Sequence, residues 1–161
     1  HAFMKITLFM CAGAIFVTTH KKDISEMVGL GRRMPVTMSA FTIASLGIAG
    51  FPFFVGFVSK ANIIMGALMT GQLLFGATLI VSAVLALTYL MPVVLITFKR
   101  EPVNPEFSTY GEASKTMLVP LLITATVSVI LGVAPNFGLH LLDLAMSTGE
   151  AVFAHVGGVI C

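Results

Sequence analysis

Charged side chains are what this sequence has least of. Asp, Glu, Lys and Arg make up 10% of its 161 residues, against the roughly 25% with which a water-soluble domain covers its surface. Apolar residues account for 57%, and the mean hydropathy is +1.02. Only a bilayer can solvate what such a chain leaves exposed, and in a bilayer the backbone must satisfy its own polar groups. The sequence therefore reads as an all-α integral membrane protein, and a soluble helical bundle is excluded. A net charge of +2 is too small to suggest nucleic acid. Cysteine is scarce as well: Cys11 lies inside an apolar segment and Cys161 is the last residue. Two such thiols form neither a disulfide framework nor a metal-ligand spacing and are expected to be inert.

Other absences remove whole chemistries. No Gly-rich loop ends in Lys-Ser/Thr, and Gly29-Leu30-Gly31 lacks the later glycine of a dinucleotide fingerprint. Without a Cys/His cluster there is no case for iron–sulfur or zinc. Ser59 beside Lys60 has no oxyanion donors that spacing can supply, so hydrolysis is set aside. No Gly-x-x-x-Gly pair supports a simple helix dimer. The expectation is a chain with no cofactor, no metal and no catalytic site of its own.

What remains is a series of apolar segments. Ala2–Thr18 is interrupted only by Lys5. It has no basic region before it, so it does not read as a signal peptide, and a piece of a longer protein is expected. A polar loop, 20–33, leads to the stretch that dominates the chain, Met34–Met69, whose only charge is Lys60. Gly50 and Pro52 break that run and Gly56 extends the weak zone. The reading is a helix over about Pro35–Ala49, a non-helical link, then a half-helix from near Val58. Unwound backbone at membrane depth must be covered by protein or water. Leu73–Phe98 follows, with a kink expected at Pro92. A second polar loop, 99–115, carries the breakers Pro102, Pro105 and Gly111, and Thr116–Val133 forms the next segment. The last stretch, Leu139–Ile160, carries His140, Asp143, Ser147 and Glu150 as one polar stripe. That pattern suits either an interfacial amphipathic helix or a fifth crossing. In all, about four transmembrane helices are predicted, the second one broken, plus this C-terminal helix.

The two polar loops hold seven of the nine basic residues (Lys21, Lys22, Arg32, Arg33, Lys99, Arg100 and Lys115). Counting the broken segment as one crossing puts both loops on one side, the cytoplasmic one by the positive-inside rule. The remaining two, Lys5 and Lys60, lie inside membrane segments. A lysine at a helix centre costs about 2.5–3.5 kcal/mol on insertion scales. One near a helix end can simply snorkel to the headgroups. Lys60, beside a helix break and near mid-depth, is less easily explained that way. His1 and Lys5, four residues apart, share a helical face. Amines removed from water hold their protons less firmly, and a nearby imidazole can relay them. His1, Lys5 and Lys60 are thus the candidate proton-transfer residues.

The segment HAFMKITLFMCAGAI resembles the His-Ala-Phe-x-Lys…Leu-Phe…Ala-Gly signature of the antiporter-like membrane subunits. These are shared by respiratory complex I, Mrp-type sodium/proton antiporters and related membrane-bound hydrogenases. GLGRRMPVTMSAFTIASLGIAGFPFFVGFVSK resembles the next signature: an Arg/Met-Pro start, a Gly-x-Pro break, then Gly-Phe-x-Ser-Lys. The likeness covers residues 1 to about 133 and fades after Pro135. It implies an inverted-repeat transporter fold, with 1–133 as part of the second repeat and 134–161 as a C-terminal helix region. It also implies that Lys5 is the central lysine of a hydrophilic axis, His1 its neighbour and Lys60 the terminal lysine on the exit side. Two departures stand out. Phe53 replaces the second proline usual in the break, and Ala61-Asn62 matches neither subfamily's continuation.

The resemblance implies proton translocation in a multi-pass inner-membrane subunit of a complex I-like NADH-quinone oxidoreductase. Its partners are the lipid bilayer and other membrane subunits. An Mrp-type antiporter subunit, exchanging sodium for protons, is the alternative, and a purely structural membrane-arm subunit is the third. The loop assignment is directly testable in the full protein. A cysteine at Ser25, in a background lacking the native cysteines, is expected to react with a membrane-impermeant maleimide from the cytoplasmic face only. Labelling from the opposite face reverses the topology.

Overall fold

The computed structural model describes residues 1–99, 111–138 and 140–157; it is built of helices, with no strand among those residues. The helices are α1 (Ala2–Thr19), α2 (Pro35–Ala49), α3 (Val55–Met69), α4 (Leu73–Lys99), α5 (Lys115–Val133) and α6 (Leu141–Gly157). Two short 3-10 turns, Ile24–Met27 and Leu30–Arg32, lie in the polar loop after α1. α1, α4 and α5 are each long and apolar enough to cross a bilayer. α2 and α3 have 15 residues each, so each rises about 22 Å and falls short of a ~30 Å core.

Together, the two short helices complete a path. At one end of the bundle, Ala14 and Ile15 of α1, Leu30 of the loop, Met34 and Met38 at the start of α2, and Ala113 before α5 form one buried cluster. The C-terminal part of α4 reaches the same end: Gly29 N–H lies 3.4 Å from the Ile96 carbonyl, and Gly31 sits against Thr97 and Phe98. α4 is 27 residues long, so its first turn lies about 40 Å away. The turn at 70–72 joins α3 to α4 there. The path from α2 through α3 therefore traverses the length that α4 retraces, and the first polar loop, the end of α4 and Ala113 before α5 meet at one end.

α1 and α5 pack on α2, while α4 packs on both α2 and α3. Cys11, Ala40, Leu121 and Ala125 form the middle of the core, and the Thr7 and Thr124 hydroxyls lie 2.8 Å apart between α1 and α5. Apolar side chains dominate the outside, among them Met69, Leu74 and Leu85. That is the surface a lipid-facing helix presents.

The break differs from expectation in one respect. α3 begins at Val55, not near Val58, and Gly56 lies in its first turn instead of in the link. A glycine inside a helix is locally unfavourable, but here it removes a steric obstacle. A Cβ on Gly56 would overlap the carbonyl of Gly47, and Met4 of α1 closes on both glycines. α2 and α3 thus lie side by side over about a turn, with their backbones in contact. The link 50–54 rests on Gly132 of α5, where any side chain would collide with Phe53 and Phe54 backbone atoms. α4 continues through Pro92 as one helix and runs on to Lys99, which the sequence placed in the loop. The other predicted breakers Pro102 and Pro105, together with Arg100 and Cys161, lie outside the described residues. α6 covers most of the last predicted segment. Asn136 and Asp143 anchor its start, the Asn136 amide donating to the Asp143 carboxylate at 2.9 Å and His140 Nδ1 lying 3.2 Å from that same carboxylate.

Gly56→Ala is expected to destabilise the solubilised full-length protein by about 1–3 kcal/mol, the usual range for overpacking. Gly66→Ala, in the same helix with open space around it, is the control and should be neutral or slightly stabilising. Equal thermal midpoints for the two variants would show that the α2–α3 contact is not tight.

Candidate functional site

A helix that ends inside a membrane leaves four carbonyls without partners, and no water is at hand to satisfy them. At the end of α2 all four are accounted for. Gly50 adopts the left-handed conformation, φ 87°, which turns the chain back on itself. Phe51 N–H then donates to the Leu46 carbonyl at 3.0 Å, and Gly50 N–H to Gly47 at 3.1 Å. The last two, Ile48 and Ala49, accept hydrogen bonds from Nζ of Lys60, at 2.8 and 3.2 Å. Gly50 serves this arrangement twice. It supplies the positive φ, and a side chain there would meet Cδ of Lys60 at 2.9 Å.

Lys60 is half-buried and sits at the negative end of the α2 dipole, where a cation is favoured. A protonated lysine has three donor hydrogens, of which the two carbonyls engage two. On one side the amine borders a cavity of about 500 Å³, lined by His1, Ile48, Thr78, Ser82 and Tyr89 in addition to Lys60. His1, Ile48 and Tyr89 also line a neighbouring cavity of about 350 Å³ that contains Lys5. On the other side Lys60 meets a mainly apolar groove between α3 and α4.

The three candidate proton-transfer residues lie along two adjoining cavities, without a direct contact between Lys5 and Lys60. His1 and Lys5 share a face of α1, and His1 is the residue common to the Lys5 and Lys60 cavities. Gly50 and Pro52 lie in the break as predicted, whereas Gly56 acts through helix contact. Thr78, Ser82 and Tyr89 were not foreseen, although their spacing on α4 puts them on one face of an otherwise apolar helix. Glu112 also went unrecognised. It binds backbone N–H groups at the start of α2, 75 residues away in sequence, and nothing local to it signals that partner. Among the described residues, no three of His, Cys, Asp and Glu come together as a metal site needs.

His1, Lys5 and Tyr89 are exposed in this chain. Such groups at membrane depth face protein or water, not lipid. Long apolar helices packed around a broken one define a multi-pass helical membrane protein. Residues 1–88 match the family described as NADH:quinone oxidoreductase/Mrp antiporter, TM, and the chain belongs to that family. It is 34% identical over 143 residues to NADH-quinone oxidoreductase subunit N of Desulforudis audaxviator, covering 82% of this chain and 28% of that protein. It is 37% identical over 124 residues to NADH-ubiquinone oxidoreductase chain 5 of Hylobates lar, covering 75% and 20%. It is 32% identical over 151 residues to NADH-quinone oxidoreductase subunit L of Rickettsia conorii, covering 92% and 22%. The chain thus spans less than a third of the length of these relatives.

Removing the Lys60 amine leaves two carbonyls unpaired, at a cost of about 1–3 kcal/mol each. Lys60→Met in the full protein is expected to speed amide exchange across 47–51 about tenfold or more, with mid-α4 unchanged. Unaltered exchange at 47–51 would mean that the lysine does not hold the end of α2.

Proposed function

We propose that this chain is part of a proton-translocating subunit of a complex I-like NADH-quinone oxidoreductase, with protons passing between Lys5, His1 and Lys60. Residues 1–133 form the translocating part and 134–161 the C-terminal region. The observation that carries this reading is the position of Lys60. Its amine is held by the carbonyls of a broken helix, and Lys60 lines a cavity with His1, which in turn lines the adjoining cavity with Lys5. The names of the relatives point the same way.

The chemistry follows from charge. Protonated Lys60 is attracted to the carbonyl end of α2. A second positive charge on His1 repels it across their shared cavity, one on Lys5 acts through His1 in the adjoining cavity, and in a low-dielectric setting such repulsion is strong. Loading one end of the chain thus favours release at the other. A cavity of about 500 Å³ has room for several waters at about 30 Å³ each, and the hydroxyls of Thr78, Ser82 and Tyr89 can bridge to them. The wider protein covers the exposed face that carries His1 and Lys5, and neighbouring membrane subunits supply the driving charge changes. The loop end of the bundle faces the cytoplasm.

Lys60→Arg separates structure from proton transfer. A guanidinium can still bond the two carbonyls but does not release its proton in a protein. In proteoliposomes holding the full native complex, Lys60→Arg is expected to assemble and to lower translocation by about a hundredfold, the lower range for loss of a proton-transfer group. Pumping at the wild-type rate in this variant would sink the pathway. Removing sodium should leave the rate unchanged. A requirement for sodium favours the Mrp-type exchange that the family description also covers.

A further inference from the structure

The start of α2 is closed by a charge as well as its end. Pro35 at the first helical position brings no N–H. Met34, at the capping position, has no oxygen to offer and is fully buried. The next two donors, Val36 N–H and Thr37 N–H, bond the two carboxylate oxygens of Glu112 at 3.0 and 3.1 Å, and the Thr37 hydroxyl donates to the same group. Met38 N–H is already taken by the Met34 carbonyl at 3.0 Å. Next to Glu112, Ala113 is locked into the buried cluster that holds Leu30 and Met34. α2 is therefore a rod of about 22 Å with an anion at its positive end and a cation at its negative end. Both charged groups come from other elements.

We propose that Glu112 is a positioning residue for Lys60, acting through α2. This rests on Lys60 being a proton-transfer group. A hydrogen-bonded helix moves along its axis as a unit, so the hold on Val36 and Thr37 also sets where the Ile48 and Ala49 carbonyls stand. Lys60 meets them at 2.8 and 3.2 Å, and a slide of less than an ångström takes the longer bond past hydrogen-bonding range. Events at the polar-loop end of the bundle thereby reach the axial lysine without a titratable group between them.

The test uses the full native complex in proteoliposomes and reads two quantities: ions moved per turnover, and the uncoupled turnover itself. Glu112→Ala is expected to lower the ions moved per turnover about fivefold, in line with loss of a helix cap, with uncoupled turnover retained. Glu112→Asp, which keeps the carboxylate, should restore most of the ratio. If Glu112→Ala does not assemble, Glu112→Gln decides, with an intermediate fall expected. An unchanged ratio in the assembled complex overturns the proposal, as does a parallel fall of ratio and turnover, which marks mere loss of fold. Lys60→Met in the same preparation distinguishes the two readings. If it leaves translocation intact, both fall; if it abolishes translocation while Glu112→Ala has no effect, only the positioning role falls.

Discussion

The bond from the Lys60 amine to the Ile48 and Ala49 carbonyls is the constraint from which the rest of the arrangement follows. A half-helix ending in a bilayer exposes a patch of partial negative charge that water cannot relieve. A lysine in the same place is an equally expensive positive charge. Brought together, each solves the other's problem. The close approach of Gly56 to Gly47, the left-handed turn at Gly50 and the seat of the link on Gly132 are the steric conditions for that meeting. None of these glycines supplies chemistry, yet each removes an obstacle to it.

The same pairing suits the carrier role proposed for the lysine. A group held only by strong neutralising partners would keep its charge, and one held by nothing would never bring it into the membrane. Carbonyl dipoles lie between these extremes, since they favour the cation without fixing it as a carboxylate would. In the proposed pathway, the cavity lined by His1 and Tyr89 is where the proton goes. The groove between α3 and α4 on the other side of Lys60 is mainly apolar and offers a proton no comparable partners.

The positions of the lysines and of the break are legible in the sequence because both violate the bilayer's simplest rule. Charge and helix-breaking residues stand out against an apolar background, and the first predicted half-helix matches Pro35–Ala49. The partner of Lys60 is not legible, because it depends on α3 starting at Val55 and overlapping α2 sideways. Gly56 looks like a weakness in the helix when only propensity is considered; its value is to a neighbour. Glu112 is hidden for a related reason, since its contact spans 75 residues. The one trace of it is negative: α2 opens with Met34 and Pro35, with no Ser, Thr, Asp or Asn to cap it. The link holds a further difference. Phe53 sits at φ 76°, a conformation closed to proline, so the second proline usual in related breaks could not take its place without rebuilding the turn.

The reach of Glu112 also imposes an order on biosynthesis. When α2 leaves the ribosome, the side chains that close its two ends do not yet exist. Lys60 arrives within a dozen residues, but Glu112 follows only after α3 and α4 have been made. During that interval the nascent helix has its C-terminal partner and lacks its N-terminal one. Val36 and Thr37 N–H gain their carboxylate partner only when the chain returns to the loop end of the bundle. The broken helix is consequently among the earlier elements of this chain to be synthesised and among the last to be fastened.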